Sequence, residues 1–173
     1  MRVVVVRHGC AGDKREWTGP DADRPLDDAG RRQADAITAA LEHAGIHRIL
    51  TSPTVRCRDT VAPLARALAL PVEDGRELAV GGSDSGLFPV IRRPDVADAV
   101  LCTHGELMAP LLAAIRRVHA RIHAVRDDDA WLLEKGTAWD LTVVPTGSVT
   151  ALRHIVPEAL VACAAHPGEP ARR

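Results

Sequence analysis

Val3-Val4-Val5-Val6-Arg7-His8-Gly9 is the stretch whose reading decides the fold. Four consecutive β-branched residues bounded by a glycine predict a short strand buried on both faces, the kind found inside a parallel sheet. An Arg-His pair where such a strand ends is energetically costly unless it faces a cleft. In open α/β sheets, ligands bind just beyond the carboxyl ends of the strands. Arg7 and His8 are therefore read as site residues at the tip of the first strand.

A second strand tip of the same kind follows. The apolar run Val96 to Thr103, interrupted only by Asp98, ends in Thr103-His104-Gly105. Between the two, Ile46 to Thr51 predicts a short strand that runs into Ser52-Pro53, read as an N-cap and a first-turn proline. This places Arg56 in the first turn of a helix. Parallel strands present their carboxyl tips along one rim, so His8, His104 and Arg56 are expected to meet there.

The rest of the chain alternates strands with helices. Cys10 to Asp28 is polar and turn-rich and reads as a long loop, and residues 74 to 95 as a second. Asp27 or Asp28 caps a helix to about Ala44 that buries Ala34, Ile37 and Leu41, with Gly45 as its stop. The helix after Pro53 buries Val61, Leu64 and Leu68; Pro63 inside it predicts a kink or two pieces. A helix after Gly105 aligns Leu107, Leu111, Ile115, Val118 and Ile122. Arg126 to Asp129 reads as a solvated break. Ala138 to Val144 and Ser148 to Val156 form a hairpin through Pro145-Thr146-Gly147. The fold class is α/β, with a mostly parallel central sheet flanked by helices and an antiparallel edge or hairpin near the C-terminus. Residues 1–163 are expected to form one domain and 164–173 a frayed tail.

Composition limits the function classes. Hydrophobic residues are 46% and charged residues 26% of the 173, and 22 basic against 23 acidic groups leave a formal charge of −1. No global basic field points to nucleic acid, and no stretch approaches the roughly 20 apolar residues of a membrane span. The start of the chain lacks the features of a signal peptide, and Cys10, Cys57, Cys102 and Cys163 are scattered. Free thiols and a cytoplasmic location are expected.

Two histidines, two arginines and a helix N-terminus suit a phosphoryl group. Guanidinium forks on Arg7 and Arg56 would hold the dianion. One neutral imidazole would attack phosphorus while the other stabilises charge on the equatorial oxygens. A hydrogen bond from the attacking ring's other nitrogen to a backbone carbonyl would fix its tautomer.

The motifs VVRHG, RPLDDAGRRQA, ILTSPTVRCRDT and LCTHGE, in that order over roughly residues 1 to 120, resemble the histidine phosphatase superfamily, with its phosphoglycerate-mutase-like fold. The W-x-G-P-D-x-x-R-P-L stretch from Trp17 to Leu26 is similar to the small bacterial phosphohistidine-phosphatase branch and to phosphatase domains fused to nudix hydrolases. The resemblance implies that His8 is the phosphorylated nucleophile and that Arg7, Arg56 and His104 complete the pocket. It also implies a phosphatase rather than the longer mutases.

The chain departs from the pattern at the general acid. Leu78-Ala79-Val80-Gly81 stands where family members carry Leu-x-Glu-Gly, so Val80 replaces the glutamate; Glu77, three residues early, becomes the candidate acid, with Asp74 or Asp84 as substitutes. A leaving group such as phosphoimidazole or a phosphoanhydride needs less protonation than an alkyl phosphate. The expected activity is hydrolysis of a phosphomonoester, phosphohistidine or activated phosphate through His8, without cofactor or metal. A phosphorylated small molecule or phosphoprotein is the expected partner, with Arg24 a candidate for binding the rest of the substrate. Lys14, Arg92 and Arg93 are further candidates, and the two long loops are candidate lids. Two alternatives remain: a phosphate-binding module of this fold without turnover, and a zinc site built from His8, Cys10, Cys102 and His104. The other histidines, His154 among them, are expected at the surface or at caps.

Overall fold

The computed structural model describes residues 1–82 and 86–157. Asp84, Cys163, His166 and the expected tail 164–173 lie outside the described residues. Seven strands form one sheet: β1 (Arg2–Arg7), β2 (Arg48–Thr51), β3 (Val72–Asp74), β4 (Ala99–Thr103), β5 (Arg121–His123), β6 (Ala138–Val143) and β7 (Val149–Ile155), in the order β3-β2-β4-β1-β6-β7-β5. The pairs β3–β2, β2–β4, β4–β1 and β7–β5 are parallel, and β6 pairs antiparallel with both β1 and β7. The expected α/β class holds. The antiparallel strand is interior rather than at the edge, because β5 continues the sheet beyond the hairpin.

Helices cover both faces, which is why β1 reads as an unbroken apolar run. Val4 and Val6 pack with Ile37 and Leu41 of α1 (Asp28–Leu41) and with Val61 and Leu64 of α2 (Val55–Leu68). Val3 and Val5 face the opposite side, against Met108, Leu111 and Ile115 of the later helix Gly105–Arg117. Successive side chains on a strand point to opposite faces, so one run of four valines serves two cores.

Several local expectations are corrected. Pro63 lies within one uninterrupted α2 rather than between two pieces. Both Pro63 and Asp59, whose carbonyl loses its helical partner, are only half-buried. The residue 74–95 loop contains a short helix, α3 (Phe88–Ile91). The helix after Gly105, α4, stops at Arg117: His119 takes a left-handed φ of 52°, Val118 is exposed, and Ile122 enters β5. The segment read as a solvated break is irregular and mostly exposed, but its last residue opens α5 (Asp129–Leu132), capped by Asp128, which accepts from Trp131 N–H at 2.8 Å. His154 is buried on β7, edge-on to Trp131 with ring centroids 6.1 Å apart. No helix among the described residues is long and apolar enough to cross a membrane.

Candidate active site

The sheet register builds the site. Arg7 at the end of β1 lies opposite Thr103 at the end of β4, and Thr51 at the end of β2 lies opposite Cys102. His8, His104 and Ser52 are each the next residue, so three parallel strands deliver them to one rim. Two backbone bonds extend the ladder past the tips: His8 N–H donates to Thr103 O at 3.0 Å and Ser52 N–H to Cys102 O at 2.9 Å. The two imidazoles meet edge to face with centroids 5.2 Å apart. Both are buried, as is Arg56 at the second position of α2.

The glycine after each histidine is required by close packing. A Cβ on Gly9 would lie 2.9 Å from Gly30 O, and one on Gly105 would lie 2.8 Å from Cζ of Arg7. Gly30 is tighter still, its Cβ position being 2.0 Å from Cys10 O. The first turn of α1 is thus pressed against the turn after His8, and Asp27 locks the junction by accepting from Gly30 N–H at 2.7 Å and Gly12 N–H at 2.9 Å.

His8 has a fixed tautomer. Its Nδ1 lies 2.7 Å from Gly9 O. A carbonyl can only accept, so Nδ1 carries the proton and Nε2 keeps its lone pair. Gly9 is held in turn by Thr60, whose hydroxyl accepts from Gly9 N–H at 3.0 Å and donates to Arg56 O at 2.7 Å. Burial holds the His8 pKa well below 6.5; the Gly9 bond opposes that shift, while the neighbouring His104, Arg56 and Arg7 reinforce it. The imidazole is therefore neutral near pH 7.

His104 is oriented from both sides. Its Nε2 lies 2.9 Å from Ser52 Oγ and its Nδ1 3.4 Å from Nη2 of Arg56. A guanidinium has no acceptor, so Nδ1 is the accepting nitrogen and Nε2–H donates to Ser52. Ser52 is thus a site residue rather than the predicted helix cap; α2 begins at Val55.

The arginines are anchored individually. Arg7 donates through Nη1 to Leu133 O and keeps a buried Nε–H without a partner. Burial lowers its pKa, with Glu106 and Glu134 opposing the shift. Arg56 donates to Asp21 O at 2.6 Å and Asp21 Oδ2 at 3.1 Å, and its Nε–H is likewise buried and unpaired. Arg24 bonds Asp21 Oδ1 at 3.0 Å and Ala11 O at 2.7 Å, so the loop containing Trp17 folds back onto the site. Burial would raise the Asp21 pKa, but the Arg24 hydrogen bond and the charges of Arg56, Arg24 and Lys14 hold it below the ordinary carboxylate value.

The remaining candidates stand elsewhere. Glu77 lies on the turn after β3 and accepts from Arg93 at 2.8 Å, while Val80 is exposed. Arg92 donates to Gly147 O at 2.9 Å. The alternative zinc site is not assembled: the described residues contain no group of three or more metal-binding side chains. Cys10 is disulfide-bonded rather than free, and Cys102 is packed into the core on the α1–α2 face. Ser52, Thr60 and Asp21 escaped the sequence reading as site residues. Only the segments TSPTVRCRDT and GPDADRP, read as units around Arg56 and Arg24, carry a signal for them.

A family model for the histidine phosphatase superfamily (branch 1) matches residues 3–79. The 8-oxo-(d)GTP phosphatase of Mycolicibacterium smegmatis is 34% identical over 117 residues, covering 64% of this chain and 36% of the relative. The chain thus spans about a third of that relative's length. Among solved structures, the protein histidine phosphatase SixA complexed with tungstate aligns with a TM-score of 0.70 at 22% identity, covering 91% of this chain and 97% of the other. A mycobacterial glucosyl-3-phosphoglycerate phosphatase in complex with VO3 aligns with a TM-score of 0.56 at 19% identity, covering 94% and 99%. At these identities the structural matches establish the shared fold.

Proposed function

We propose that this chain is a member of the histidine phosphatase superfamily and a phosphatase that works through a covalent phosphohistidine on His8. The observation that carries the reading is the 2.7 Å bond from His8 Nδ1–H to Gly9 O, which leaves the Nε2 lone pair free in a buried, cationic setting. A neutral imidazole so fixed is a nucleophile that needs no separate base. Arg7 and Arg56 hold the phosphoryl oxygens by charge-assisted hydrogen bonds, and His104 stabilises charge as the P–O bond breaks by turning its Nε2–H from Ser52 to a phosphoryl oxygen. Ser52 and Thr60 act as positioning residues for His104 and for the Gly9 turn.

The leaving group is one that departs without a strong proton donor. Val80 stands in place of the expected acid, and the nearby Glu77 is engaged by Arg93. Both phosphohistidine and phosphoanhydride substrates meet that requirement. The names of the relatives agree with a phosphorylated substrate, one being a protein histidine phosphatase and another a nucleotide phosphatase. Turnover of a chromogenic aryl phosphate by the wild type, abolished in His8→Ala, is the expected result. If neither protein turns over but inorganic phosphate still binds, the chain is the non-catalytic phosphate-binding module instead.

A further inference from the structure

The segment joining α5 to β6 carries a cation that the chemistry above leaves unused. Leu133 gives its carbonyl to the Arg7 guanidinium, and Thr137 accepts from Arg7 N–H at 3.1 Å. Gly136 N–H lies 3.3 Å from both Arg7 O and His8 O. Backbone on either side therefore pins Lys135 beside the tip of β1. At Gly136, where φ is 73°, a Cβ would approach Gln33 Cδ to 2.6 Å, and that same Gln33 side chain accepts from Cys10 N–H at 2.8 Å. The Lys135 segment and the His8–Cys10 turn thus share one support.

Lys135 is half-buried, and its ammonium forms no ion pair or side-chain hydrogen bond with any described residue. Burial lowers its pKa first; Arg7 and Arg24 add to that, and Glu134 and Asp27 only partly oppose it. The Asp27 carboxylate is already committed to the Gly30 and Gly12 N–H groups. Arg24 reaches over the same turn to Ala11 O. The Asp21 carboxylate is shared between Arg24 and Arg56, so a half-buried ammonium in the same cationic surroundings gains from a further anion.

We infer that Lys135 and Arg24 form a second anion subsite beside the phosphoryl seat of His8, Arg7 and Arg56, and that the substrate is a phosphoanhydride. The assignment rests on the phosphatase reading and narrows it. His8 Nε2 attacks the terminal phosphorus, and the bond to the bridging oxygen breaks. Its electron pair leaves on that oxygen, as the new terminal oxygen of the shortened phosphate product. Lys135 and Arg24 neutralise this charge, so no proton donor is needed at the Val80 position. Water then adds to the phosphohistidine, the P–N pair returns to Nε2, and dihydrogen phosphate departs.

Calorimetry with inorganic phosphate and with methylenediphosphonate, which cannot be hydrolysed, tests the subsite without turnover. Wild type is expected to bind the diphosphonate about tenfold more tightly than phosphate, as one added charge-assisted contact allows. Lys135→Met is expected to bring that ratio to about one, and Lys135→Arg to keep it. Should Lys135→Met lose both ligands through misfolding, the wild-type ratio and Lys135→Gln decide the matter. An unchanged ratio in the neutral variants, or a wild type that binds phosphate without preferring the diphosphonate, overturns the subsite and leaves the phosphatase reading standing. Binding of neither ligand removes both.

Discussion

Thr60→Val cuts the link between α2 and the turn that carries His8. The Thr60 hydroxyl is fully buried, accepting from Gly9 N–H at 3.0 Å and donating to Arg56 O at 2.7 Å. Valine keeps the shape and loses both bonds. The Gly9 N–H is then a buried donor without a partner, which costs about 1–3 kcal/mol. The Arg56 carbonyl keeps its place at the start of α2, so its loss adds about 0.5–1 kcal/mol. The sum is about 1.5–4 kcal/mol, or roughly 3–16 °C in Tm for a chain of this size. Thr60→Ser retains the hydroxyl and loses one buried methyl, for about 1 kcal/mol. Because Gly9 O also fixes the His8 ring, Thr60→Val is further expected to lower kcat/KM about tenfold through misplacement of the nucleophile. Urea denaturation with aryl phosphate kinetics on both variants supplies the comparison. If valine and serine destabilise equally, methyl packing rather than hydrogen bonding sets the position of Gly9, and the reasoning is wrong.

Gly30→Ala would gain about 1 kcal/mol from helix propensity alone, but its Cβ would fall 2.0 Å from Cys10 O. A net loss of about 2 kcal/mol or more is expected by chemical denaturation, and an unchanged midpoint would show that the junction is loose. His154 has both ring nitrogens buried without partners and a pKa lowered to about 4 by burial. His154→Phe is expected to stabilise by about 1–2 kcal/mol near neutral pH, read by the same denaturation. Both His154 and His8 accept protons less readily folded than unfolded, so stability declines as pH falls below 6.5, down to about 4 for His154. His154→Phe should flatten that decline, and a profile parallel to wild type would count against the assignment. In proton NMR, His8 should titrate below 6.5 and move upward in Arg56→Met, since the Arg56 charge is one cause of the shift. No movement would mean that burial alone sets it.

The strand tips were legible because each carries a strong local signal. An apolar run ending in Arg7-His8 or Thr103-His104 has few other physical readings, and the glycine that follows marks close approach. Arg56 was legible from its place in a first helical turn. What stayed hidden depends on segments far apart in the chain meeting in space. Nothing local to Lys135 says that residues 133–137 wrap the end of β1, and nothing local to Asp21 says that Arg56 will grip it. Ser52 was legible as a helix cap and became a partner of His104 because α2 starts three residues later. Strand β5, only three residues long, was absorbed into the apolar periodicity of α4. The C-terminal hairpin was read correctly, but its interior position in the sheet depends on that missed strand.

The proposed reaction passes through a covalent bond between phosphorus and His8, and trapping that species is its most direct test. Rapid mixing with an aryl phosphate, acid-free quenching under denaturing alkali, and intact-mass analysis should show the addition of one phosphoryl group. It should be stable to base, labile to acid, mapped to His8 and absent from His8→Asn. Steady turnover with no phosphorylated enzyme at any time point, or the same adduct surviving in His8→Asn, would contradict the central claim.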